Sequence, residues 1–131
     1  NELSPSYDGM EDAYITLASR LSDLGLVYLH LVDHSSMGTP EVPDSFKKKL
    51  KESFKNTFIL SGGYDLERAE NDLQADKGDL VAIGRPWIAN PDLVERFKEG
   101  AEVQTPDQNT FYTPGAEGYT DYPSLAEKET A

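Results

Sequence analysis

The sequence predicts an α/β fold built on a parallel sheet. Short, nearly continuous apolar runs alternate with segments whose apolar residues recur every three or four positions, and glycines punctuate the boundaries. The runs begin at Val27, Thr57 and Leu80, roughly 30 and then roughly 23 residues apart, which is the length of one strand–helix unit.

Each element has its own signal. From Met10, apolar residues recur at Tyr14, Leu17, Ala18, Leu21 and Leu24, one stripe of a helix that Gly25 stops. Val27 to Val32 reads as a strand covered on both faces, because it lacks the polar alternation of a half-exposed one. His34 to Pro43 is a loop rich in Ser, Gly and Pro, and Phe46, Leu50 and Phe54 mark a Lys-rich helix after it. Thr57 to Ser61 is the second strand, broken by Gly62-Gly63. Asp65 caps a helix with Leu66, Ala69 and Leu73 inward that ends near Gly78. Leu80 to Ile83 is the third strand. Asn90 before Pro91 signals a last helix, with Leu93, Val94 and Phe97 inward and Gly100 at its end. Residues 101–131 lack any period and read as an irregular tail lying on residues 1–100, with its last residues, from Glu127, mobile.

Composition narrows the function. The 131 residues include 12 Lys plus Arg against 24 Asp plus Glu, a net charge of −12, which repels nucleic acid and anionic membranes. The absence of cysteine removes disulfides, thiolate metal sites and cysteine catalysis, and together with the lack of a signal-like first segment favours a cytoplasmic location. The chain opens on Asn-Glu-Leu-Ser-Pro without a methionine, as a fragment or a processed product would.

Two glycine sites suggest chemistry. Gly62-Gly63 ends one strand ahead of a helix, where bare N–H groups and the helix dipole favour an anion, although a tight turn alone explains such a pair. Gly84-Arg85-Pro86 ends the next strand. There an arginine can hold a phosphate through two parallel hydrogen bonds, the bland alternative being a surface ion pair. Sites on consecutive strand ends match the phosphate site of (β/α)8 TIM barrels, built after the seventh and eighth strands.

His30 and His34 form no recognisable metal pattern, and a strand histidine is usually a hydrogen-bonded core residue, so neither is assigned a role. Asp33 with His34 lacks a placed nucleophile, and the Lys47-Lys48-Lys49-Lys51 cluster reads as a solvated helix face.

Leu-Val-Ala-Ile-Gly-Arg-Pro-Trp-Ile-Ala-Asn-Pro-Asp-Leu-Val at Leu80 to Val94, Thr-Phe-Tyr at Thr110 to Tyr112, and Gly-Ala-Glu-Gly-Tyr-Thr-Asp-Tyr-Pro at Gly115 to Pro123 resemble the C-terminal signature of the Old Yellow Enzyme and N-ethylmaleimide reductase family. The resemblance implies the C-terminal part of the barrel, about three parallel strands with four helices plus the tail. It implies an FMN-dependent NAD(P)H oxidoreductase, an ene-reductase acting on enones or maleimides. Gly62, Gly63, Gly84 and Arg85 would hold the FMN phosphate, with Phe111 and Tyr112 by the flavin and Tyr112 touching substrate; Tyr119 and Tyr122 would cover the outer surface. The family's substrate-oxygen ligands and proton-donating tyrosine belong to the first half of the barrel, so no catalytic residue is assigned and the isolated chain is expected to be inactive. Glu2 stands where relatives usually carry arginine. A non-enzymatic half-barrel that binds a phosphate ligand or a partner chain is the alternative. With no preceding strand and no first strand to close on, self-association or pairing with an N-terminal half-barrel is expected.

Overall fold

The structure, a computed structural model, describes residues 7–128, so Glu2 and the Leu3-Ser4-Pro5 motif lie outside the described residues. The chain divides into two compact units, Asn1–Ala82 and Ile83–Ala131.

The first unit holds the sheet. Helix α1 (Met10–Asp23) is followed by β1 (Tyr28–His30), a 3-10 turn (Ser35–Met37), α2 (Asp44–Ser53), β2 (Thr57–Leu60), α3 (Leu66–Gln74) and β3 (Leu80–Val81). The strands are parallel in the order β1-β2-β3, with Leu29 opposite Phe58 and Leu60 opposite Val81. The α/β expectation therefore holds: a parallel sheet flanked by helices that does not close into a full barrel. Strand β2 sits centrally, and its Phe58 and Leu60 are fully buried with Phe46, Leu50, Phe54 and Tyr64 around them. Helix α2 presents Phe46 and Leu50 to this core because they lie four residues apart. Helix α1 packs on α2, with the Tyr14 and Phe46 rings edge to face at 6.4 Å.

Several expectations need correction. Strand β1 is not covered on both faces: Val27, Tyr28 and Val32 are more than half exposed, and His30 is exposed rather than a core residue. Only Leu29 and Leu31 of the run are half-buried, facing α1 and α2 across an apolar cleft. The α1 stripe likewise leaves Tyr14, Leu17 and Leu24 about half exposed or more, with only Ala18 buried. Leu66 is also largely outside the core.

The second unit contains α4 (Arg85–Ala89), α5 (Leu93–Glu99), a 3-10 turn (Gln108–Thr110) and α6 (Leu125–Lys128). Short helices thus occur at Arg85, where the sequence marked no element, and within the tail, where irregular chain was expected. Gly100 ends α5 at φ 62° as anticipated, whereas the cap position belongs to Asp92 and not Asn90. Asn90 is fully buried and bridges instead: its side-chain amide donates to the Pro86 and Gln104 carbonyls, and its Oδ1 accepts from the Gln104 N–H at 2.8 Å. Val94 points outward, and the inner position goes to Arg96, 1% exposed, one turn beyond Leu93. No helix among the described residues is long and apolar enough to cross a membrane.

Candidate functional site

In the first unit, Gly62 and Gly63 take φ of 118° and 68°, a conformation that side-chain-bearing residues avoid. They are also crowded. A Cβ on Gly62 would stand 2.9 Å from the Asp33 carbonyl oxygen, and one on Gly63 would stand 2.6 Å from the Ser36 Cβ. Their N–H groups donate to no protein acceptor among the described residues. Asp65 caps α3 as expected, accepting from the Arg68 N–H at 2.8 Å. The Arg68 guanidinium donates to the Gly62 carbonyl at 2.7 Å and lies 4.2 Å over the Tyr64 ring. Burial first, and then the neighbouring Asp72 carboxylate, push the Tyr64 hydroxyl up to about 12.

Behind the turn lies an ion pair that the sequence did not announce. Lys47 Nζ approaches Asp33 Oδ2 to 2.9 Å, with the two side chains 7% and 0% exposed. Lys47 is therefore not part of a solvated face. It lies three residues before Leu50, on the same side of α2, which was the available signal. Burial raises the Asp33 carboxyl, but hydrogen bonds from Lys47 and Ser35 and the Lys47 charge outweigh it and hold the group below its ordinary 3.8. Lys48 and Lys49 are exposed as expected, whereas Lys51 is half-buried and pairs with Asp76; Lys51, Lys77, Asp44 and Asp76 line a cleft of about 650 Å³ whose charges satisfy one another.

In the second unit, Gly84 precedes α4 with φ −105°, open to any residue, and a Cβ there would meet nothing within 4 Å. Arg85 is exposed and makes no ion pair among the described residues, despite the acidic composition. It lines a cleft of about 220 Å³ with Pro86, Val103, Gln104, Gln108 and Phe111. Phe111 is half-buried and meets the Tyr112 ring edge to face at 6.5 Å, while Tyr112 itself is 98% exposed. Tyr119 is exposed, and the Tyr122 hydroxyl accepts from the Asp107 N–H. Arg85 and Phe111 are thus brought to one cleft by Asn90, Gln104 and Arg96. Of these, Arg96 donates to Asp92, to the Glu102 carbonyl and to the Pro123 carbonyl. No group of three or more potential metal-ligating side chains occurs among the described residues.

The three-stranded parallel sheet flanked by helices is that of a partial (β/α)8 barrel. The chain belongs to the NADH:flavin oxidoreductase / NADH oxidase family, the Old Yellow Enzyme group, whose model matches residues 4–104. It is 38% identical over 130 residues to a 12-oxophytodienoate reductase-like protein of Solanum lycopersicum, covering 95% of this chain and 35% of that one. It is 43% identical over 108 residues to putative 12-oxophytodienoate reductase 3 of Oryza sativa subsp. japonica, covering 79% and 28%. Among solved structures, morphinone reductase superposes with a TM-score of 0.86 at 41% identity, covering 94% of this chain and 33% of that one. The chain spans about a third of the length of the relatives it matches.

Proposed function

We propose that this chain is part of an FMN-dependent NAD(P)H oxidoreductase that reduces activated alkenes such as enones or maleimides. The carrying observation is Arg85, exposed and unpaired at the mouth of a cleft it shares with Phe111, beside a Gly84 that neither backbone conformation nor packing requires to be glycine. A ligand that needs the cation accounts for Arg85. The residues fit a phosphate-bearing flavin. Gly62 and Gly63 offer N–H groups that no protein acceptor takes, ahead of the α3 N-terminus, and Arg85 offers a two-pronged donor for phosphate oxygens.

Bound FMN supplies the hydride chemistry between NAD(P)H and the alkene. The residues of this chain bind and orient: Arg85 neutralises and fixes the phosphate, Gly84 keeps the approach clear, Phe111 offers an apolar wall, and the exposed Tyr112 offers ring and hydroxyl to flavin and substrate. Residues 1–100 carry the phosphate contacts and residues 101–131 the aromatic wall.

Flavin fluorescence titration of the chain and of Arg85→Ala tests this. Loss of a charge-assisted contact of about 1.5–3 kcal/mol predicts roughly 10- to 100-fold weaker FMN binding. Equal affinities would remove Arg85 from the site. The same preparations are expected to show no enone-dependent NADPH oxidation above a free-FMN control, because the family's proton donor and substrate-oxygen ligands are not among these residues.

The same reading assigns a partner. Met10, Tyr14, Leu17, Leu29, Val32 and Val42 open onto an apolar cleft of about 410 Å³ between α1, β1 and α2. The outer edges of β1 and β3 pair with no strand among the described residues. An N-terminal half-barrel, or a second copy standing in for it, covers this surface.

A further inference from the structure

We propose that Asp33 and Lys47 form a buried positioning pair that sets the Gly62-Gly63 turn, an inference that rests on reading that turn as a phosphate contact. The pair lies under the turn. The Asp33 carbonyl and Cβ leave no room for a Cβ on Gly62, and Ser36, in the 3-10 turn that follows His34, leaves none on Gly63. Asp33 Oδ1 accepts from the Ser35 N–H at 2.9 Å, which fixes that turn's entry. Ser61, immediately before the glycines, donates its hydroxyl to the Leu31 carbonyl at 2.8 Å. The Arg68 guanidinium donates to the Gly62 carbonyl and holds it in turn. Two consecutive positive-φ glycines have the widest backbone freedom available to a chain, so their N–H groups point one way only if neighbours over-determine them. Asp33, Ser36 and Arg68 do so.

The charge arrangement points the same way. A buried ion pair is seldom the most stabilising filling of its volume, because removing both ions from water costs several kcal/mol that an apolar pair avoids. An Asp pressed against an anion-binding turn is worse than neutral for that turn, since its field opposes the incoming phosphate. Lys47, 2.9 Å away and almost fully buried, cancels that field while leaving Asp33 as a rigid floor. Neither residue touches the ligand. They act through the turn.

The test uses the full chain and the double variant Asp33→Asn/Lys47→Gln, which removes both charges and leaves neither ion buried alone. FMN and riboflavin affinities are measured by flavin fluorescence, and backbone order at Gly62 and Gly63 by 15N relaxation, with Gly100 as reference. The expected result is about 10-fold weaker FMN binding, no change toward riboflavin, and lowered order parameters at Gly62 and Gly63 alone. The single variant Lys47→Arg, which keeps the charge pair, should hold FMN affinity within about twofold of the parent chain. A folded double variant with parental FMN affinity and parental order parameters overturns the proposal. Lowered order across the sheet overturns it too, by assigning the pair to the fold as a whole. Should the parent chain bind FMN no better than riboflavin, the phosphate reading fails separately. Order at the two glycines then decides the positioning role by itself.

Discussion

Replacing Arg96 by methionine should loosen the tail without emptying the core. The side chain is 1% exposed, and methionine fills most of its volume, so the loss is polar. Arg96 donates to the Glu102 carbonyl at 2.8 Å and to the Pro123 carbonyl at 3.0 Å, and a hydrogen bond from a charged donor contributes about 1.5–3 kcal/mol. The sum falls at its lower end for two reasons. Pro123 keeps a second donor, Gln104 Nε2 at 3.0 Å, and Glu102 is exposed, so water can replace the lost partner. Asp92 stays near solvent and still accepts from the Leu125 N–H, so it adds nothing to the figure. About 3 kcal/mol remains, equivalent to local opening that is on the order of 100-fold more frequent. Hydrogen exchange at the Gln104 and Leu125 amides, bound to Asn90 and Asp92, reads that opening directly. The Phe58 amide, bound to Asp79 in the sheet, serves as reference. Acceleration of less than about threefold at Gln104 and Leu125 would show that Arg96 does not fasten the tail.

Acid should act through Asp33. Its carboxyl titrates below 3.8 in the folded chain, so its contribution to stability is fully present above the unfolded value and is lost as pH falls through the folded one. Urea midpoints of the parent chain should therefore fall relative to Asp33→Asn/Lys47→Gln below about pH 4 and run parallel to it above; parallel curves at all pH values would contradict the assignment. Sedimentation at micromolar concentration should show self-association, because the half-exposed Val27, Tyr28 and Val32 adjoin an unpaired strand edge. A well-folded 14.5 kDa monomer would refute that expectation.

The order of strands and helices was legible because it rests on periodicity and on punctuation by particular residues. Asp65 caps α3 and Gly100 ends α5 where their side chains, or lack of one, make those positions favourable. What periodicity could not supply was the identity of each segment's cover. Val27 to Val32 is apolar whether or not anything lies on it, and among the described residues Val27, Tyr28 and Val32 stay more than half exposed. The buried charges were hidden for a different reason. Lys47 sits in a run of lysines and Arg96 between Glu95 and Phe97, and residue type alone sends both to solvent. Helical spacing places them inside, one turn from Leu50 and Leu93, and only the location of Asp33 and of the tail carbonyls shows why a charge is tolerated there. Asn90 was misplaced by a sound rule: Asn before Pro caps helices, but here the side chain had a buried carbonyl on each side to satisfy and the cap position moved to Asp92.

The three glycines of the candidate site do not separate what the chain needs from what a ligand would need. Gly62 and Gly63 are explained from within: positive φ and contacts with Asp33 and Ser36 exclude a side chain whether or not anything binds, so their being glycine is neutral between a tight turn and a phosphate cradle. Gly84 is different. Its φ is negative and the space beside it is empty, so neither strain nor packing requires glycine there, yet it caps α4, a position that suits glycine better than alanine. The glycines on both strand ends thus have reasons within the chain. Arg85, exposed and without an ion-pair partner among the described residues of a chain of net charge −12, has none, so its replacement by alanine separates a bound phosphate from a structural turn where no glycine substitution could.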